Sequence, residues 1–218
     1  MGNLSEEYPE EIAQEFDFLY RQEKAVLKRA IDKIFNKGVK EGHDLTLLEC
    51  KNVSGKRILD IGCEAWGVAT ELARRGAYVV SIDSSRHTID ATKQTLEKDH
   101  LQHRLMLIHD DFAKHTFDEK FDISLALSIF DYVSDAASYI RKMKSLTKEK
   151  CIMSFPSKLA FQVPLRLIWL RSRNLPVYFY SKNELRQLLS KNFAHHKIKK
   201  ISARYFCVAA VKARNSIS

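Results

Sequence analysis

Apolar residues recur at helical spacing from Glu6 to Phe35: Ile12, Phe16, Leu19 and Tyr20, then Val26, Leu27, Ile31, Ile34 and Phe35. The spacing predicts one or two amphipathic helices that stop near Gly38. Residues 36–56 read as a connection with Leu45, Leu47 and Leu48 packed down. From residue 57 the period changes. RILDIG (57–62), AYVVSID (77–83), RLMLIHDDF (104–112), FDISLALSI (121–129) and KCIMSFP (150–156) are short β-branched and apolar runs. Helical patterns fall between them at 68–77, 86–100 and 135–147. The fourth run is almost wholly apolar, as a parallel strand covered on both faces must be.

After Pro156 the rhythm breaks. Residues 158–181 mix arginine with apolar side chains and contain Pro164 and Pro176. A helix is expected over 182–193, and a final pair of strands over 196–212. Strands and helices in this alternation predict a doubly wound α/β sheet, mostly parallel, that ends in an antiparallel hairpin. Residues 1–50 are then a helical cap, residues 51–218 the main domain, and about 157–181 an insertion facing the substrate.

Composition adds little until charge is mapped. With 45% hydrophobic and 29% charged residues the chain has an ordinary globular balance. From Tyr139 onward 18 Lys/Arg face only Glu149 and Glu184, giving +16; the preceding 138 residues carry −7, and the two sum to the net +9. Such asymmetry points the C-terminal part at an anionic partner, whether an acidic small molecule, a membrane surface or nucleic acid, with a solvated basic face as the plain alternative. Glu6, Glu7, Glu10, Glu11, Glu15 and Asp17 argue against a cleavable secretory signal. No run approaches the roughly 18 apolar residues of a membrane span. A cytoplasmic protein, at most peripheral to a membrane, is expected. Cys50, Cys63, Cys151 and Cys207 have no metal-ligand spacing and read as buried reduced thiols, so no metal is expected.

In a doubly wound sheet ligands bind at the carboxyl ends of the strands. The first strand ends in Asp60-Ile61-Gly62-Cys63, the second in Asp83 and Ser84, the third in Asp110-Asp111-Phe112. The fourth ends in Ser128, with Asp131 and Tyr132 just beyond. Acids after three successive strands suit one extended ligand rich in hydroxyls and amines. Asp83 lies about twenty residues past the loop, where a carboxylate accepts two ribose hydroxyls. The loop itself has Gly62 and Gly67 but places Glu64 between them, and a carboxylate there repels a pyrophosphate. A ribose and adenine ligand without phosphate, and with a cationic head, fits better than a dinucleotide.

These residues resemble the class I S-adenosylmethionine-dependent methyltransferases, over about residues 56–156 and more weakly to about 212. KRILDIGCEAWG is similar to the first family motif, VVSIDSS to the second, HDDF to the third, and FDISLALSIFDYV to the fourth strand and the segment after it. The resemblance implies a Rossmann-like methyltransferase fold of seven strands, with S-adenosylmethionine as cofactor. It places Asp60, Gly62, Cys63, Glu64 and Gly67 under the methionine part, Asp83 and Ser84 at the ribose, and Asp110, Asp111 and Phe112 at the adenine. Ser128, Asp131 and Tyr132 would lie near the methyl group. The later part is similar to small-molecule O-methyltransferases, the Mg-protoporphyrin methyltransferases among them. The glycine loop departs from the family: Glu64 and Trp66 stand where glycines are usual. A side chain held left-handed costs roughly 1–2 kcal/mol, which Glu64 would offset by accepting from the cofactor's ammonium group.

Methyl transfer asks mainly for alignment and a dry pocket. A base is needed only for a protonated acceptor, and Asp131, Tyr132 and then His87 are the candidates. The chain has no [DNS]PP[FYW] after the fourth strand and no Pro-Cys pair at a strand end, which argues against amino-group and cytosine-C5 methylation. A small acidic or amphiphilic acceptor, methylated at oxygen, is the expected substrate. An RNA methyltransferase is the enzymatic alternative, with Lys197, Lys199, Lys200 and Arg204 as its footprint. A degenerate, non-catalytic interaction protein is the other.

Overall fold

A computed structural model describes residues 26–63, 67–127, 129–158 and 177–211, with side chains from residue 37 onward. Helix α1 (Val26–Glu49) leads into β1 (Arg57–Ile61), α2 (Val68–Arg74), β2 (Tyr78–Asp83), α3 (Arg86–Asp99), β3 (Leu105–His109) and β4 (Phe121–Ala126). After a 3-10 turn at Ile129–Asp131 come α4 (Ala136–Leu146), β5 (Thr147–Pro156), α5 (Lys182–Ser190), β6 (His195–Ile201) and β7 (Arg204–Ala210). The seven strands form one sheet in the order β3-β2-β1-β4-β5-β7-β6. The first five are parallel, and the β6–β7 hairpin joins β5 antiparallel through β7. Chain order reverses between β1 and β4, and that reversal opens a crevice at the carboxyl ends.

Alternation along each strand sends side chains to two cores. Leu59, Ile61, Ile82, Phe121, Met153 and Phe155 share one with Leu185 and Leu189 of α5. Ile58, Val79, Ile123, Leu125 and Ile152 share the other with Leu72 of α2 and Leu96 of α3. Local signals start the helices: Ser85 accepts from the Thr88 amide, Asp135 from the Ser138 amide, and Ser181 forms a reciprocal capping box with Glu184.

Two expectations for the N-terminal part need correcting. The helix does not stop near Gly38 but continues to Glu49, through residues read as connection. Tertiary contact overrides the weak helix propensity of glycine here. Gly38 and Gly42, one turn apart, bring α1 close to Ser202, Ala203 and Ile201 at the β6–β7 turn. Lys150 then donates to the Glu49 carbonyl at the far end, satisfying an orphan helix acceptor. Leu45 and Leu47 pack down as expected, but Leu48 is exposed. Because Pro156 pairs with Arg204 and Lys150 with Ala210, the β6–β7 turn stands at the carboxyl ends of the parallel strands. Helix α1 therefore runs down the sheet from the crevice rim. Residues 1–25 of the expected cap lie outside the described residues.

Arg204, read from the sequence as part of a basic surface, is buried at 1% exposure. Its Nη1 donates to Asp131 Oδ2 at 3.0 Å, Nη2 approaches Oδ1 at 2.9 Å, and Nε donates to Ser154 Oγ at 3.1 Å. Asp131 has no exposed surface at all. Removing one member strands the other charge, so Arg204→Met should cost about 3–5 kcal/mol in urea unfolding. The Asp131→Leu/Arg204→Met double variant, which removes both charges, should stay within about 2 kcal/mol of wild type.

Candidate active site

Three strands deliver acids to one edge. Asp60, next to last in β1, is buried and accepts from Ser81 Oγ of β2 at 2.9 Å, which ties the two strand ends together. Gly62 follows with φ 82° and donates its amide to the Ile82 carbonyl at 2.9 Å, extending the ladder past β1. A positive φ is the reason for glycine here; the same holds at Gly67 (φ 75°), which opens α2. Cys63 lies buried beside Asp60 and Asp83, and desolvation followed by those two carboxylates pushes its thiol well above the usual range. It is a neutral packing thiol, and all four cysteines are free and buried.

Asp83 closes β2 half-buried, with Oδ1 accepting from the Ser85 amide at 2.8 Å. The Ser84 carbonyl meets the His109 ring nitrogen at 3.0 Å, and the Asp110 amide donates to the Asp83 carbonyl at 3.0 Å. The ends of β2 and β3 are thus bonded into one rim. Past β3, Asp110 joins His115 Nδ1 at 2.8 Å, and that contact first, then the Asp111 amide, lowers its carboxyl below the usual value. Asp111 Oδ1 accepts from the Ala113 amide at 2.8 Å and from Tyr139 Oη at 3.3 Å. Phe112 is buried against Tyr139, with ring centroids 5.3 Å apart. Asp60, Gly62, Cys63, Gly67, Asp83, Ser84, Asp110, Asp111 and Phe112 therefore share one crevice edge. Glu64, Trp66 and Ser128 lie outside the described residues.

Under the opposite wall lies an aromatic stack of the core. Phe130 stacks on Phe155 at 4.3 Å, and Phe155 meets Tyr180 edge-on at 5.1 Å. Tyr132 is half-buried in the turn after β4. Asp131, its neighbour, is not placed as a base expected to meet an acceptor: its carboxylate is enclosed and held by Arg204. Its carbonyl accepts from the Tyr178 amide at 2.9 Å, which docks residues 177–180 on this wall. His87 is half-buried in the first turn of α3. Residues 159–176 of the expected insertion, with its Arg166, Arg171 and Arg173, lie outside the described residues. Their flanks are joined: Ser157 pairs with Tyr180, the Lys158 amide donates to the Tyr180 carbonyl at 3.0 Å, and Lys158 forms an ion pair with Glu184.

The expected nucleic-acid footprint is divided. Lys197 and Lys199 project from β6 exposed, Lys200 lies over the Tyr205 ring at 4.6 Å, and Arg204 is inside. Sequence reasoning missed Arg204 as a core residue, and also Tyr139 and Lys142 of α4, which reach the loop after β3. Among the described residues no helix is long and apolar enough to cross a membrane.

The crevice and sheet order define the class, and comparison with known proteins agrees. Residues 52–204 match the family model described as a methyltransferase domain. The chain belongs to that family. It is 33% identical over 103 residues to the ubiquinone biosynthesis O-methyltransferase of Rhodopseudomonas palustris (strain TIE-1), a match over 46% of this chain and 39% of that relative. The match thus spans about two fifths of the relative's length. Among solved structures, magnesium protoporphyrin IX methyltransferase from Synechocystis PCC 6803, with S-adenosylhomocysteine bound, superposes with TM-score 0.71 at 19% identity, covering 92% of this chain and 94% of that one. The [4+2]-cyclase SpnF shares the fold at TM-score 0.58 and 17% identity, covering 72% of this chain and 58% of the other. The fold alone therefore does not decide the reaction.

The joined flanks carry a pH dependence. The Lys158 ammonium, then the Ser181 amide and hydroxyl, lower the Glu184 carboxyl to about 2 from its ordinary 4.5. A depressed acid stabilises fully above its unfolded value and loses that contribution as pH falls through the folded one. Amide protection at Ser181 and Glu184 should fall between pH 4.5 and about 2, and Glu184→Gln should flatten that dependence in hydrogen exchange.

Proposed function

We propose that this chain transfers a methyl group from S-adenosylmethionine to an oxygen of a small anionic or amphiphilic acceptor. The observation that carries the reading is the row of acids at the carboxyl ends of β1, β2 and β3 on one crevice edge, with left-handed glycines at Gly62 and Gly67. Asp83 suits a ribose diol and Asp111 an exocyclic amine; the described loop offers a phosphate no basic side chain. When bound, S-adenosylmethionine supplies a methyl group already activated on a sulfonium. The residues of the chain then bind, orient and exclude water.

Asp131 acts in this reading as a positioning group. With both its oxygens directed at Arg204, Tyr132 and His87 are left as the proton-accepting candidates. A carboxylate or an acidic phenol needs little such help, because it reaches the site ionised. The basic C-terminal half favours that same acceptor charge. The O-methyltransferase relatives support transfer to oxygen.

Calorimetry with S-adenosylhomocysteine should show binding. Asp83→Asn, which keeps an oxygen for the Ser85 amide, should weaken binding about 10- to 100-fold, the worth of hydrogen bonds to a charged group. Labelled methyl transfer should favour carboxylates and phenols over RNA, with the weak salt dependence of a small acceptor. Wild-type protein that is folded but does not bind S-adenosylhomocysteine would return the reading to a non-catalytic interaction protein.

A further inference from the structure

The loop after β3 is held from outside by a lysine of α4. Lys142 Nζ, half-buried on α4, donates to three backbone carbonyls: Phe112 at 2.6 Å, Ala113 at 3.1 Å and His115. An ammonium has three donors, and here the loop engages all of them. The same Nζ stands 4.9 Å from the Phe112 ring centroid. One turn earlier on the same helix face, Tyr139 packs on Phe112 and donates its hydroxyl to Asp111 Oδ1. Asp111 Oδ1 is thereby engaged twice, by Tyr139 and by the Ala113 amide. The described neighbour of Oδ2 is the Lys114 ammonium, at 4.0 Å across an exposed contact.

We infer that Lys142, assisted by Tyr139, is the positioning residue that sets base selectivity at the nucleoside end of the crevice. By fixing the backbone of residues 112–115 and one oxygen of Asp111, it leaves Oδ2 to accept from the exocyclic amino group of an adenine. A base with a carbonyl at that position meets a fixed carboxylate oxygen and is rejected. Without the clamp the loop rotates Asp111 away and the distinction fades, even though no atom of Lys142 touches the base. Desolvation draws the Lys142 pKa down while Asp111 and Asp110 draw it up, as expected of an ammonium enclosed between carbonyls and acids. Fixed geometry rather than added contact is how such a residue acts.

The inference rests on the reading of Asp111 as the adenine partner, and the test separates the two. Calorimetry compares S-adenosylhomocysteine with S-inosylhomocysteine, which carries a carbonyl in place of the amino group. Wild type should favour the adenine form about 10- to 100-fold. Lys142→Met should reduce that ratio to about threefold or less, Lys142→Arg should restore part of it, and Tyr139→Phe should lower it by a smaller factor. A ratio lost in Asp111→Asn but unchanged in Lys142→Met and Tyr139→Phe overturns the role of the clamp alone. A ratio unchanged in Asp111→Asn overturns the adenine assignment and the inference with it. Loss of selectivity in both, with far-ultraviolet circular dichroism and melting intact, establishes the clamp.

Discussion

The buried pair between Arg204 and Asp131 constrains most of what surrounds the crevice. Two opposite charges without solvent around them must stay together, because separating them leaves each unpaired in a medium that screens poorly. Arg204 opens β7, so its position depends on the antiparallel register of β5 and β7 and on the short turn at Ser202 and Ala203. That turn is where α1 comes close through Gly38, and where Ser202 Oγ donates to Glu41 at 3.0 Å. On the other side, the Asp131 backbone holds Tyr178, and the next residue is Tyr132. Helix α1, the hairpin, the turn after β4 and the base of the insertion thus meet at one charge pair. Such a pair adds little net stability, since an apolar replacement of both members would pack as well. A two-residue slip of β7 would preserve its alternation of faces yet separate Arg204 from Asp131.

The two halves of the crevice are built on different physics. The β1-β2-β3 side is a set of strand ends bonded to one another, in which serine hydroxyls, amides and carboxylates satisfy each other around left-handed glycines. Its precision comes from the parallel ladder, which fixes where each acid leaves the sheet. The β4-β5 side is apolar stacking with one deep ion pair beneath it. An edge shaped by ladders holds each acid at a set place, whereas the stacked rings on the other side are sealed in the core. The [4+2]-cyclase on the same fold shows that this kind of scaffold carries more than one chemistry.

The sheet was legible because its information is local. Runs of β-branched residues ending in Asp60, Asp83 and Asp110-Asp111 declare both the strands and the edge at which they finish. What stayed hidden required a partner distant in sequence. Arg204 looks like one more basic residue beside Lys199 and Lys200, and only the fold across a separation of 73 positions brings Asp131 to it. Lys142 and Tyr139 read as the polar side of an ordinary helix until the loop 27–30 residues away closes on them. Gly38 and Gly42 have the composition of a helix end, and only the turn at Ser202 and Ala203 explains why the helix runs through them. Local patterns carry period and termination, while pairing carries role.

That distinction also changes the meaning of Asp131. From position alone, an acid just past the fourth strand is the natural candidate for removing a proton from the acceptor. Once Arg204 is opposite, the same carboxylate has no exposed surface, and its protonation would leave a buried guanidinium without its counter-charge. The carboxylate is thus held by Arg204 and is not presented to an acceptor. Under the proposed function this leaves Tyr132 and His87 as the proton-accepting candidates, a set that suits an acceptor arriving ionised. The constraint that fixes the fold thus bears on the proposed chemistry: by holding Asp131, Arg204 takes the carboxylate just past β4 out of the proton-accepting candidates.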